Sequence, residues 1–170
     1  MRLAFCGGRG THKTTLSEWL KTDHNFYVYS FARPIKEIIH IIWKTPWDLL
    51  LYNKTPEIIL KHIKIGEGLK KMFYEDIWID CLHDKISIPI SYGSNIIVDD
   101  LRFKNEELYL RAQGFTIIIL EKEQDYEPYM YDHYTENQRL TWDYVVNTGN
   151  MDEAKEEILK IMEGLEVRQK

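Results

Sequence analysis

Along the chain, short apolar runs alternate with stretches whose apolar residues recur at helical spacing. Leu3-Ala4-Phe5-Cys6 is a compact apolar run that breaks into Gly7-Gly8-Arg9-Gly10, and the residues from Lys13 to about Lys21 then take a helical pattern. Asn25 to Phe31, rich in aromatic and β-branched residues, reads as a second strand and completes a β-α-β unit. Pro34 opens an amphipathic helix with Ile35, Ile38, Ile39 and Ile42 on one stripe and Lys36, Glu37 and His40 off it. Pro46 and Pro56 punctuate the next stretch, Ile58 to Lys64 reads as a helix broken at Gly66 and Gly68, and Glu75 to Lys85 reads as another, burying Ile77, Trp78, Cys81, Leu82 and Ile86. Ile96-Ile97-Val98 running into Asp99-Asp100 has the form of a buried parallel strand that ends at a polar rim. Asn105 to Gln113 is a helix stopped by Gly114, and Thr116 to Leu120 a further buried strand. The polar, tyrosine-rich residues 121–135 predict a surface excursion or small lid. Tyr144 to Asn147 is the last strand, Gly149 turns the chain, and Ala154, Ile158, Ile161, Met162 and Leu165 mark a closing helix. Strands alternating with helices predict the α/β class: a roughly five-stranded parallel sheet with helices on both faces, in one domain spanning residues 1–170.

The glycine-rich break carries the chemistry. Gly7 to Thr14 has the spacing G-x-x-x-x-H-K-T, one residue away from the phosphate-binding loop G-x-x-x-x-G-K-[ST]. Glycines let successive backbone N–H groups converge on a phosphate, and the following helix adds its positive N-terminal end. Gly7, Gly8, Gly10, Thr11, His12, Lys13, Thr14 and Thr15 are therefore the candidate nucleotide-binding residues, with Lys13 reaching the β- and γ-phosphates and the Thr14 hydroxyl facing Mg²⁺. His12 places a Cβ where the motif has its last glycine, and is expected to shape the loop without acting as an acid or base.

Composition narrows the ligand. At 170 residues, 44% hydrophobic and 29% charged, the chain is ordinary for a soluble globular protein, with no bias toward disorder. A formal net charge of -5 argues against a large non-specific polynucleotide surface, yet suits a small anion held by a few cations. No apolar stretch reaches membrane-spanning length and no cleavage-site pattern follows Met1, so a cytoplasmic protein is expected, with no membrane partner. Cys6 and Cys81 sit inside apolar patterns without metal spacing and read as free thiols.

The loop stands with several other pieces: Ser30-Phe31-Ala32-Arg33-Pro34-Ile35-Lys36-Glu37, Gly66 to Trp78, Asp100-Leu101-Arg102-Phe103-Lys104-Asn105-Glu106, His133-Tyr134-Thr135-Glu136 and Asn147-Thr148-Gly149-Asn150. In that order and spacing, over nearly the whole chain, it resembles the deoxynucleoside monophosphate kinases encoded by bacteriophages, a branch of the P-loop nucleoside monophosphate kinases. The resemblance implies a P-loop kinase fold. It also implies ATP- and Mg²⁺-dependent transfer of the γ-phosphoryl group to a (deoxy)nucleoside monophosphate, giving the diphosphate, in the host cytoplasm if phage-encoded, with a homodimer as one oligomeric option. Related small-molecule kinases, of the thymidylate or dephospho-coenzyme A type, and a non-catalytic nucleotide-binding protein with an altered loop are the alternatives.

The chain departs from that pattern at His12, at Arg33 where an acidic residue is expected, at Lys70-Lys71 in place of an arginine, and in a lid that holds Lys122 but no arginine. Catalytic charge then falls to Lys13, Mg²⁺ and the arginines Arg9, Arg102 and Arg139. Asp100, at the end of a buried strand, is a candidate Mg²⁺ ligand or acceptor-orienting group, with a helix N-cap as its other reading; Asp99 is the weaker choice. Arg102 is a candidate fork for the acceptor phosphate, against a surface pair with Glu106. Arg33, Lys36 and Lys71 complete the candidate substrate cations, and Trp78 either stacks on the acceptor base or belongs to the core. Tyr126, Tyr129, Tyr131 and Tyr134 are candidates for lid contacts, with His133 and Glu136 at a lid-end motif. Asn147 and Gly149 lie either beside the adenine or in a plain turn.

Overall fold

A computed structural model describes residues 1–122 and 140–168. The chain divides into two compact units, one made of Met1–Tyr29 with Ser87–Lys170 and the other of Ser30–Ile86. The elements of the first unit are β1 (Arg2–Cys6), α1 (Lys13–His24), β2 (Tyr27–Tyr29), β3 (Ile96–Val98), α6 (Lys104–Ala112), β4 (Thr116–Glu121), β5 (Tyr144–Asn147) and α7 (Met151–Arg168). Those of the second are α2 (Arg33–Trp43), α3 (Trp47–Leu51), α4 (Pro56–Met72) and most of α5 (Ile77–Ser91), which runs on past the boundary.

The five strands form one parallel sheet in the order β2-β3-β1-β4-β5. Leu3 pairs with Ile97 on one side of β1 and with Thr116 on the other, so β1 lies at the centre. Alternation along the strands sends Leu3, Phe5, Ile97, Ile118, Leu120 and Val146 to one face, where they pack with Leu16 and Leu20 of α1 and Ala154, Ile158 and Ile161 of α7. The residues between them, Ala4, Cys6, Ile96, Val98 and Ile117, are also buried, so the second face is covered too at its central strands, with Val145 of the edge strand β5 left exposed. This is why the strands read as near-continuous apolar runs rather than alternating ones.

The chain leaves β1 toward β2 on one side and leaves β3 toward β4 on the other, while β1 and β3 are themselves paired neighbours. A crevice outside the carboxyl ends of β1 and β3 follows from that reversal, and it is where ligands bind in sheets of this kind. The segments that open onto it are Gly7 to His12 and Asp99 to Phe103.

Four expectations need correction. The helix expected to break at Gly66 and Gly68 runs through both as α4, because Gly66 is a close-packing position: a Cβ there would stand 3.3 Å from Ile35 Cδ1. Ile42, placed on the buried stripe of α2, is 60% exposed, while Ile35 and Ile39 are buried. β2 is three residues long rather than seven, ending before Ser30. Glu121 belongs to β4 instead of the lid, and the rest of the expected lid with its candidates Tyr126, Tyr129, Tyr131, His133, Tyr134, Glu136 and Arg139 falls almost wholly within 123–139, outside the described residues.

Candidate phosphate-binding site

Gly7 leaves β1 at φ +130°, and a Cβ built there would stand 2.2 Å from the backbone oxygen of Leu120. Only glycine fits a backbone that both takes a positive φ and passes this close to β4. Gly10 turns at φ +83°, and His12 at φ 58° and ψ 23° takes the left-handed conformation that the motif normally gives to glycine. As N-cap of α1, His12 offers no side-chain acceptor, so the first-turn N–H groups of the helix remain for other partners. Its carbonyl accepts the first helical bond, from Leu16 N–H at 3.0 Å. Thr11 is buried and donates to Gly8 O at 2.9 Å, drawing the loop closed.

Lys13 folds back over this loop. Its ammonium donates to Gly7 O at 2.7 Å and Gly8 O at 2.6 Å and lies 3.2 Å from Thr11 Oγ1. Burial pushes it down to about 8, the Arg102 guanidinium pushes in the same direction, and Asp99 and Asp100 oppose both. Lys13, Arg102, Asp99 and Asp100 thus share one electrostatic neighbourhood, as the pairing of β1 with β3 requires. A concave loop with an ammonium held inside and a second cation beside it can receive a phosphate, while the two carboxylates on the rim are placed for a cation that would accompany it.

Ser17, absent from the sequence-based candidates, ties the two halves of the rim. It is fully buried, with Oγ 3.0 Å from Thr14 O and 3.2 Å from Asp99 Oδ2. Its only signal in the sequence is a hydroxyl next to Leu16 on the buried stripe of α1. Thr14 is half-buried on this turn, while Thr15, Arg9 and Arg102 are exposed. The N-cap reading of Asp100 falls away, because the N-cap of α6 is Phe103. Glu106 accepts the backbone N–H groups of Arg102 and Phe103 at 2.9 and 3.0 Å, a helix-start contact. The oxygen donors along the rim, the Thr14 hydroxyl with Asp99 and Asp100, suit Mg²⁺, which takes one or two carboxylates and completes its shell with water and phosphate. Among the described residues no group of three or more His, Cys, Asp or Glu could hold a metal without such help.

The remaining candidates stand on other segments. Asn147 Oδ1 accepts the Gly149 N–H at 2.8 Å, and Thr148 is buried with its N–H and hydroxyl both donating to Glu121 O, which ties the turn after β5 to the end of β4. Arg33, Lys36, Lys71 and Trp78 belong to the second unit. Arg33 donates to Glu37 Oε1 at 3.0 Å and lies 4.1 Å over the Trp47 ring. Lys36 is half-buried on α2, and Lys71 is exposed near the end of α4, whereas its neighbour Lys70 is buried and paired with Glu75 at 3.2 Å. Trp78 is 5% exposed and donates its indole N–H to Gly66 O at 3.1 Å; of its two readings, this is the core one.

No protein-family model matches the chain, and no curated protein matches it. Among solved structures it is similar to a shikimate kinase from Aquifex aeolicus, with 10% identity, 97% of this chain and 98% of that chain covered, and a TM-score of 0.46. Among the described residues no helix is long and apolar enough to cross a membrane.

Proposed function

We propose that the chain is a small-molecule kinase that binds ATP with Mg²⁺ at the β1–α1 loop and transfers the γ-phosphoryl group to a (deoxy)nucleoside monophosphate. The observation that carries this reading is the loop: Gly7 held where only glycine fits, and the half-buried Lys13 folded over Gly7 and Gly8. The acceptor class rests on the resemblance to phage-type deoxynucleoside monophosphate kinases.

Phosphoryl transfer asks the protein chiefly for alignment and charge neutralisation. An oxygen of the acceptor phosphate attacks the γ-phosphorus while the bond to the β–γ bridging oxygen breaks, and ADP leaves with that electron pair. Lys13 exchanges its contacts to Gly7 and Gly8 carbonyls for phosphate oxygens, and the first-turn N–H groups of α1 face the same anion. Arg102, exposed at the rim beside Lys13, takes either the acceptor phosphate or the transferring group. Thr14 with Asp99 and Asp100 would hold Mg²⁺, which when bound neutralises charge on the β- and γ-phosphate oxygens.

A coupled assay with ATP and Mg²⁺ across the common nucleoside and deoxynucleoside monophosphates, with dephospho-coenzyme A alongside, tests the reading. Turnover of one or more monophosphates is expected, and Lys13→Ala should lower it at least about a hundredfold while the protein stays folded. Turnover of dephospho-coenzyme A alone would reassign the acceptor. ATP binding with no turnover on any acceptor would make the chain a nucleotide-binding protein without this catalysis.

A further inference from the structure

The β1–α1 loop has a feature that its motif does not require. His12, in the glycine position, takes the glycine conformation, and its Nε2 lies 3.4 Å from the Lys122 ammonium. Lys122 is the first residue after β4, the strand whose Leu120 carbonyl Gly7 passes so closely. The contact joins residues 110 positions apart, and the same strand register that forces glycine at position 7 brings them together.

An ammonium on a flexible four-carbon stem keeps one place only where a neighbouring group accepts from it. A neutral imidazole nitrogen is one of the few side-chain groups that accept from an ammonium without cancelling its charge. A carboxylate in the same place would hold Lys122 equally well but would also repel a phosphate. We propose that His12 is a positioning residue: its imidazole holds Lys122 beside the phosphate loop, so that a second lysine meets the anion that Lys13 meets. This rests on the proposed ATP site. It gives the departure at position 12 a role in binding, with no proton transfer, and assigns Lys122 as an ATP-phosphate contact.

The test measures ATP affinity by calorimetry for His12→Gly, His12→Asn, Lys122→Met and the double variant His12→Asn/Lys122→Met, with Lys13→Ala beside them. Gly restores the motif, and Asn tolerates the left-handed backbone but is too short to reach Lys122, so a loss common to both separates positioning from loop shape. Each single change at 12 or 122 should weaken ATP about five- to tenfold, as expected for a charge-assisted contact, and the double variant should be no weaker than Lys122→Met. A second measurement needs no nucleotide. In the ligand-free protein, the NMR ¹⁵N shift of His12 Nε2 should move in Lys122→Met, because that nitrogen loses the ammonium that donates to it.

Additive losses at the two positions, unchanged affinity in His12→Asn, or an unmoved His12 Nε2 shift each overturn the proposal. Failure of the ATP site itself looks different: wild type would not bind ATP, or Lys13→Ala would bind it equally well. That result overturns the role given to Lys122 along with the site, while the His12 Nε2 shift still reports whether the contact exists.

Discussion

Replacing Gly7 with alanine adds one methyl group at the point where β1 turns into the loop. Two costs can be worked from the geometry. The first is backbone strain, since φ +130° is a region that side-chain-bearing residues rarely adopt, and holding one there costs about 1–3 kcal/mol. The second is overlap: the new Cβ would stand 2.2 Å from Leu120 O and 3.2 Å from both Leu120 C and Thr11 Oγ1, and overpacking of this sort costs about 1–3 kcal/mol once the structure relaxes. Relief is hard to find, because the nearest atom is the backbone of a strand paired on both sides. A combined loss of roughly 3 kcal/mol lowers the melting temperature by roughly 6–12 °C in a chain of this length. Gly8→Ala is the matched control, since a Cβ at Gly8 meets nothing within 4 Å. Thermal and urea unfolding of the two variants beside wild type is the assay. If Gly7→Ala melts within about 2 °C of wild type, below the shift that 1 kcal/mol produces, the close approach of loop and strand is not what demands glycine. If Gly8→Ala is destabilised as much as Gly7→Ala, the loss has another origin.

Two further outcomes follow from the charges. Lys13 stands at about 8 in the ligand-free protein, and a bound anion restores it toward its ordinary value, so ATP binding near pH 8.5 should take up protons and affinity should fall as pH rises above 8. Calorimetry in buffers of different ionisation enthalpy reads the uptake directly, and zero uptake at that pH would remove Lys13 from the anion site. Glu107 is buried on α6; burial pushes its carboxyl up, but hydrogen bonds from Lys104, Thr141 and Arg111 outweigh that and hold it at about 2. A folded value below the unfolded one stabilises the protein fully above pH 4.5 and loses that contribution as pH falls toward 2. Glu107→Gln should therefore cost about 2 kcal/mol at pH 6 and progressively less below pH 4.5, and a gap that stays constant down to pH 2.5 would refute the assignment.

What the sequence determined by itself was local. The β1-loop-α1 passage is legible because its cues are neighbours in the chain: an apolar run, glycines, then Lys13-Thr14 at the start of a helical period. Tyr144–Asn147 and the stop at Gly114 were legible for the same reason, as was the α/β class, which follows from alternation alone. Gly66 and Gly68 misled because a glycine's breaking tendency is worth only about 1 kcal/mol in a helix, less than the packing of α4 along its length. Ile42 misled because periodicity names a stripe and cannot say where the covering element ends.

Tertiary structure decided the composition of the site. Ser17 meets Asp99 and Lys13 shares a field with Arg102 only because β3 pairs with β1, and His12 meets Lys122 only because β4 pairs with its other edge. Strand order brings together residues about 80 to 110 positions apart, through backbone hydrogen bonds that any residue but proline can make. The side chains that line the crevice therefore carry no mark of their partners in the chain itself, whereas the loop that opens onto it is written in consecutive residues.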